Sequence, residues 1–413
     1  MTSLRQGAEK DKFDERYSRQ ILFRGIGTEG QRGLAAGRVA IVGCGATGSA
    51  LAQLLARAGV GILRIIDRDY VEASNLQRQS LFEEKDAAES LPKAIAATRR
   101  IAAFNSEIVV EARVEDLVPG NIHELLEGMD VILDGTDNFE TRYLVNDYAV
   151  KNSLPWIYVA TVGSYGVTLN VLPGKTACLA CLFPDTPQGM IETCETSGIL
   201  NTAVNLVASV AATEAVKLLV GGGAAEKLRT TLWSYDVWTN EQAEIAAAKP
   251  RAGCRACGER NFVHLAGEGR PHITMCGRNS VQIHERARPI DFTEMQARLE
   301  SHGMVRHNEF VLKFWREPYE MTLFPDGRAI IKGTTDTGVA RSLYARFVGS
   351  CSRTEADTQS LSPRQAIPCH SCLYGHPPKR LIRNVIQTGV EEGIPLPGFL
   401  TAGLQIRNDS PED

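Results

Sequence analysis

From Val39 onward the chain alternates short apolar runs with stretches of helical period, the pattern of a mostly parallel sheet with crossover helices. Strands are expected at Val39 to Val42, Ile62 to Ile66, Ile108 to Ala112, Val131 to Leu133 and Trp156 to Ala160. Tyr165 to Leu172 alternates with period two and runs into Pro173-Gly174, so antiparallel strands, two of them in one ribbon, are expected to continue the sheet. Asn201 to Val220 is long and apolar but carries Glu214, Lys217, Asn201 and Asn205, which predicts a packed core or dimer helix rather than a membrane span. Between Lys249 and Pro271 the chain is rich in Gly, Arg and Cys, and beyond it the pattern restarts at Ile273 to Ile283. A helix at Phe292 to Leu299, strands from Glu309 to Phe314 and after it, and a helix at Val339 to Phe347 follow, with Pro325-Asp326-Gly327 supplying a hairpin turn. The fold class is therefore α/β with a smaller α+β unit, divided as a first domain over 1–262, a small domain over 272–349 and a loosely packed tail over 350–413. That tail holds seven of the 18 prolines and only scattered apolar residues.

With 43% hydrophobic and 23% charged residues the chain sits near globular averages, and its net charge of -4 gives no global attraction to nucleic acid or anionic lipid. Neither nucleic acid nor a membrane is an expected partner. The stretch from Met1 to Asp14 mixes charges without an apolar core and does not read as a secretory signal, so a cytoplasmic location is expected. In that reducing compartment the ten cysteines read as metal ligands, a nucleophile and buried thiols rather than disulfides.

Gly43-Cys44-Gly45-Ala46-Thr47-Gly48 follows an apolar strand and opens a helix with Leu51, Leu54, Leu55 and Ala58 on one face. Such glycines let the backbone turn tightly against phosphate, and the helix N-terminus offers unpaired N–H groups to an anion. Cys44 inside the turn reads as a small packing residue. Asp67 ends the next strand, placed to accept hydrogen bonds from ribose hydroxyls, and together these features predict a Rossmann-like mixed sheet. To this point an NAD-dependent oxidoreductase fits equally. Ser74-Asn75-Leu76-Gln77-Arg78-Gln79 and Pro92-Lys93 then add two cations, the pair expected where pyrophosphate charge develops on a leaving group. The chemistry reads as nucleotidyl transfer. Asp134-Gly135-Thr136-Asp137-Asn138 sets carboxylates at the carboxyl edge of the sheet, where Asp137 is placed either to hold Mg2+ on the phosphates or, with Asn138, to cap the next helix.

Cys178 with Cys181, and Cys254 with Cys257, form two C-x2-C pairs whose four thiolates suit a closed, structural Zn2+ site; two independent buried or redox-active pairs are the alternative. Cys194 stands alone in the polar stretch Glu192 to Gly198 and is a candidate nucleophile, although the neighbouring Glu192 and Glu195 disfavour its thiolate. Cys369, His370, Cys372 and His376 in the tail are assigned no site.

The stretch Arg16-Tyr17-Ser18-Arg19-Gln20, the glycine loop, Asp67, SNLQRQ, Lys93 and DGTDN occur in the order seen in the ThiF and MoeB enzymes, relatives of ubiquitin-activating enzymes, and the resemblance runs from about Phe13 to Glu259. It implies that ATP is held by Gly43, Gly45, Gly48, Asp67, Asn75, Arg78 and Lys93, that Asp137 coordinates magnesium, and that Arg19 reaches the partner subunit's site in a homodimer. It also implies zinc at the four cysteines, and a TCET-like loop whose cysteine, here Cys194, links to the carrier in some members and is dispensable in others. The activity implied is adenylylation of the C-terminal glycine carboxylate of a small ubiquitin-like sulfur-carrier protein of the ThiS or MoaD type, with release of pyrophosphate. No rhodanese-like active-site loop follows, so a separate sulfur donor protein is expected. The alternatives are an enzyme activating a tRNA-bound carboxylate, like the threonylcarbamoyladenosine dehydratases, the oxidoreductase above, and a non-catalytic scaffold.

Overall fold

The computed structural model describes residues 15–184, 197–267, 273–276, 280–283 and 289–349. Residues Met1–Ser342 form one compact unit and Leu343–Asp413 a second. The first begins with helix α1 (residues 15–21) and α2 (Gly27–Ala36). A doubly wound run follows: β1 (Arg38–Val42), α3 (Ala46–Ala58), β2 (Ile62–Ile66), α4 (Glu84–Ala88), α5 (Lys93–Phe104), β3 (Val109–Arg113), α6 (Ile122–Leu126), β4 (Val131–Asp134), α7 (Phe139–Asn152) and β5 (Trp156–Val162). The chain then turns antiparallel through β6 (Tyr165–Val171), α8 (Leu179–Leu182), α9 (Asn201–Val220), α10 (Gly222–Ala225), β7 (Thr231–Asp236) and β8 (Glu241–Ala246).

These strands make one eight-stranded sheet in the order β3-β2-β1-β4-β5-β6-β7-β8. Strands β3 to β5 in that order run parallel, and β5 to β8 pair antiparallel, as the switch from continuous apolar runs to alternation predicts. The central strands are buried on both faces, with Val39, Ile41, Leu63, Ile65, Val131 and Leu133 fully enclosed. Helix α9 has the bounds expected and is the one described helix long and apolar enough, by length and composition, to cross a membrane. It packs its Val204, Val207, Ala208, Ala211 and Ala215 face into the core beneath β5 and β6. Along its exposed face Asn205, Ser209 and Thr213 each donate to the carbonyl four residues back, at 2.7–2.8 Å.

Beyond the eight-stranded sheet lie β9 (Ile273–Cys276), β10 (Ser280–Ile283), α11 (Phe292–Leu299), β11 (Met304–His307), β12 (Leu312–Arg316), β13 (Tyr319–Leu323), β14 (Ala329–Lys332) and α12 (Thr337–Tyr344). They form a second, fully antiparallel sheet ordered β11-β12-β13-β14-β10-β9. Three details depart from the sequence reading. The run from Ile273 to Ile283 is two antiparallel strands paired Ile273 with Ile283, not one. The strand expected from Glu309 to Phe314 starts three residues later, because Asn308 turns the chain by accepting the Phe310 and Val311 N–H groups at 2.8 and 2.9 Å. Finally, β11 was not foreseen, since Met304 to His307 carries two exposed polar positions and one exposed methionine on an edge strand. The hairpin turn at Pro325-Asp326-Gly327 does join β13 to β14, with Gly327 at φ 86°. The tail over 350–413 lies outside the described residues.

Candidate functional site

The carboxyl ends of β1, β2 and β4 and the turns that follow them gather most of the expected site residues. Gly43, at φ 86°, donates to Ile66 O at 2.8 Å and lets the chain leave β1 in a tight turn. A Cβ on Gly48 would lie 1.9 Å from Gly43 O, and one on Gly135 would lie 2.2 Å from the same oxygen. The glycine loop and the turn after β4 therefore cross at backbone contact, so only glycine fits there. Gly45 caps α3, leaving its first N–H groups at the mouth of the turn. Cys44 is fully buried, and burial drives its thiol far above the ordinary range, with the Asp67 charge adding to the rise. It packs, as expected.

Asp67 is buried at the end of β2, where its two oxygens accept the Cys44 N–H at 2.5 Å and the Asp69 N–H at 2.7 Å. Burial pushes this carboxyl up, opposed by Lys93 and the two N–H donors. Lys93 opens α5, and its ammonium meets Asp69 Oδ2 at 3.2 Å. Burial alone would strip its proton, but Asp69 and Asp67, with Asp137 beyond them, raise it well above the usual lysine range. The site thus holds a buried lysine paired with Asp69, with Asp67 and Asp137 also favouring its charged form.

Between Asp69 and Lys93 the chain makes an excursion whose two ends are bonded to each other, Lys93 N–H to Asp69 O at 2.9 Å and Val71 N–H to Leu91 O at 2.8 Å. Asn75 sits at the end of a one-turn 3-10 helix, fully buried, and accepts the Glu72 N–H at 3.1 Å. Its Nδ2 has no partner among the described residues, nor has Oε1 of the buried Gln79, whose Nε2 lies against Gly45. A donor and an acceptor left unpaired in a buried place beside a glycine loop await a polar ligand. Arg78, half-buried, turns its Nη1 back to Ser74 O at 2.8 Å.

After β4 the structure separates two residues that the sequence reading left together. Asn138 caps α7, its Oδ1 accepting the Thr141 N–H at 2.8 Å. Asp137 stays exposed and makes no hydrogen bond to a described residue. The turn presenting it is clamped from both sides: Asp134 accepts the Thr136 N–H and hydroxyl at 2.8 and 2.7 Å, while Arg142 donates to Thr136 O at 2.6 Å and pairs with Asp134 at 3.1 Å. Sequence reasoning missed Arg142, Gln79 and Asp69. The signal for Asp69 was an acid two residues past Asp67, and Gln79 closes the SNLQRQ stretch without a role having been assigned to it; nothing in the local pattern marked Arg142. Arg19 is exposed on α1, with no hydrogen bond or ion pair to a described residue. Its neighbours fix the helix: the Tyr17 hydroxyl accepts from Asn105 at 2.9 Å and Gln20 donates to Ala58 O at 2.8 Å.

The two C-x2-C pairs converge although 76 residues separate Cys178 from Cys254. Sulfur separations are 3.8 Å for Cys178–Cys181, 3.7 Å for Cys178–Cys254 and 3.3 Å for Cys181–Cys257, and all four atoms lie within 4.8 Å of one another. A tetrahedral ion with bonds of about 2.3 Å requires sulfurs about 3.8 Å apart, so the set fits zinc and leaves no fifth position open. The thiols share their protons unequally, with Cys181 lowered to about 4 by the Cys178 hydrogen bond and Cys257 raised to about 12 by burial. Cys194 lies outside the described residues.

The comparisons agree with this geometry. A model of the ThiF family matches residues 17–256. A sulfur carrier protein ThiS adenylyltransferase of Bacillus subtilis (strain 168) is 44% identical over 338 residues, covering 81% of this chain and 99% of that protein. A sulfur carrier protein adenylyltransferase of Thermus thermophilus is 37% identical over 257 residues, covering 60% of this chain and 92% of its own. Among solved structures, E. coli MccB with MccA-N7isoASN is 24% identical with a TM-score of 0.52, covering 59% of this chain and 75% of that one, a likeness of fold. With its glycine loop, buried lysine and clamped Asp137 turn in the matched region, the chain belongs to the ThiF family.

Proposed function

We propose that this protein adenylylates the C-terminal glycine carboxylate of a small ubiquitin-like sulfur-carrier protein, of the ThiS or MoaD type, in thiamine or molybdopterin sulfur transfer. A carboxylate oxygen of the carrier attacks the α-phosphorus of ATP, the bond to the bridging oxygen breaks, and pyrophosphate leaves with the electron pair. The carboxylate is already a nucleophile, so the protein's task is positioning and charge. Asp67 takes the ribose hydroxyls, and Asn75 and Gln79 satisfy their unpaired atoms on the nucleotide. The glycine-loop N–H groups, Lys93 and a freed Arg78 meet the phosphate charge. Asp137, without a hydrogen bond of its own, is the carboxylate fit to hold Mg2+, which when bound neutralises charge on the phosphates. Zn2+ at Cys178, Cys181, Cys254 and Cys257 serves structure. The working form is a cytoplasmic homodimer in which Arg19 crosses to the partner's nucleotide, and sulfur comes from a separate donor protein.

The observation that carries this reading is the buried Lys93, ion-paired with Asp69 at 3.2 Å beside a glycine-loop helix N-terminus, which hydride transfer has no need of. Carrier-dependent ATP–pyrophosphate exchange tests it. Asp137→Ala is expected to leave the fold intact, since its side chain makes no hydrogen bond to a described residue, and to remove exchange. Near-parent exchange by that variant would overturn the assignment of Asp137, and none by the parent with ThiS- and MoaD-type carriers would overturn the reading itself.

A further inference from the structure

The second antiparallel sheet lies beyond the 17–256 span that the family model matches, and nothing described so far uses it. Its contacts are concentrated on one piece of the nucleotide site, the excursion between Asp69 and Lys93. Tyr70, which bridges to Pro92 at the base of that excursion, packs into a cluster with Val311, Phe324 and Ile330 of the second sheet. Its hydroxyl lies 3.3 Å from Thr322 Oγ1, and the Lys313 ammonium stands 4.1 Å over its ring. Lys332, at the end of β14, ion-pairs with Glu72 and lies 3.8 Å from Glu320. At the far end of the excursion Asn308 donates to Glu89 O at 2.8 Å.

Glu72 is the pivotal residue. Its carboxylate takes the lysine of the second sheet, while its backbone N–H holds Oδ1 of Asn75, whose buried Nδ2 has no partner among the described residues. A side chain with two donor-acceptor ends is thereby fixed at one end and presented at the other. The ion pair is half-buried rather than exposed, with side-chain exposures of 26% for Lys332 and 18% for Glu72. A pair in that setting restricts its partners more than a surface pair does. We propose that the second sheet is a positioning element for the nucleotide site, with Lys332 acting through Glu72 to set Asn75 and Tyr70 anchoring the base that carries Asp69 and Lys93. This rests on the adenylylation reading for its kinetic consequence, but not for its binding consequence. Neither Lys332 nor Tyr70 is a catalytic residue, because both act through other residues.

The test measures ATP affinity by calorimetry alongside KM and kcat in carrier-dependent pyrophosphate exchange. Loss of one such restraint is worth about a fivefold change. Lys332→Met is therefore expected to weaken ATP binding and raise KM about fivefold, with kcat moving less than KM. Lys332→Arg, which keeps the cation, should retain parent values of both. Asn308→Ala, at the other end of the excursion, gives a second, milder weakening and covers the case in which Lys332→Met does not fold. Parent-like ATP affinity in both Lys332→Met and Asn308→Ala, whatever their thermal midpoints, would overturn the proposal. So would an equal loss of affinity in Lys332→Arg, which keeps the ion pair. If the parent binds ATP but supports no exchange with any carrier, the function reading fails while the affinity arm still decides this one. A parent that binds no ATP overturns both.

Discussion

The proposed activity divides into two chemical steps, and Cys194 is the candidate residue for the second. Forming an acyl adenylate needs phosphate positioning alone, whereas moving sulfur onto the carrier is the step that a thiol serves. Cys194→Ala is accordingly expected to keep pyrophosphate exchange and to form carrier adenylate seen by intact mass, while the yield of carrier thiocarboxylate falls. Thiocarboxylate made at the parent rate with a protein sulfur donor would reduce Cys194 to a loop residue. At this scale, most of the site was legible before the fold was known. The three loop glycines and Asp67 mark a nucleotide turn by type and spacing, which an oxidoreductase would share, while the roles of Asn75 and Lys93 at ATP came from the resemblance. Arg142 and Gln79 escaped for a physical reason: their neighbours, Asp134 with Val159 O in one case and Gly45 in the other, are assembled by crossover helices and leave no local trace.

Elements show the same division between local and assembled information. Helix α9 had readable bounds because an apolar period of 20 residues ends at Gly221, yet the reason for its one buried acid appears only in the fold. Glu214 accepts from Lys217 at 2.6 Å, Asn170 Nδ2 at 2.6 Å and the Arg229 N–H at 2.9 Å, tying the helix to β6 and to the approach to β7. Burial pushes its pKa up, but these three donors outweigh that and hold it below the usual carboxylate range. A depressed folded-state pKa stabilises above the unfolded value of about 4.3, and that contribution disappears as the pH falls through the folded value. Glu214→Gln should cost about 1–3 kcal/mol at pH 7, because buried donors lose a charged acceptor. Urea denaturation at pH 7 and again near pH 3.5 should find the gap between parent and variant narrowed at the lower pH; an equal gap at both would mean the charge is idle. Strand boundaries in the second sheet were less legible than this helix. There Asn308 and an edge position, rather than apolar period, decide where β12 starts and whether β11 exists.

For the molecule as a whole, Arg19 is exposed beside the anchored Tyr17 and Gln20 and makes no hydrogen bond or ion pair to a described residue, which suits the role in a homodimer proposed above. Mixing chains carrying Arg19→Ala with chains carrying Asp137→Ala, each inactive alone, should return one working site per mixed dimer once subunits exchange. No recovery with mixed dimers demonstrably present would place Arg19 in its own chain's site or outside the chemistry.

The cysteine cluster has a topological consequence. By joining positions 76 apart, a bound ion closes a ring in the chain, and that ring contains α9, β7 and β8, the whole antiparallel margin of the large sheet after β6. The parallel half lies outside the ring. Closing a loop of that length would remove about 4 kcal/mol of freedom from the unfolded chain on polymer statistics. Protein as isolated should carry about one zinc per chain. After chelation, amide exchange should quicken across β7, β8 and α9 while β1, β2 and β4 keep their protection. Uniform loss of protection would mean the ring and the nucleotide half open as one body.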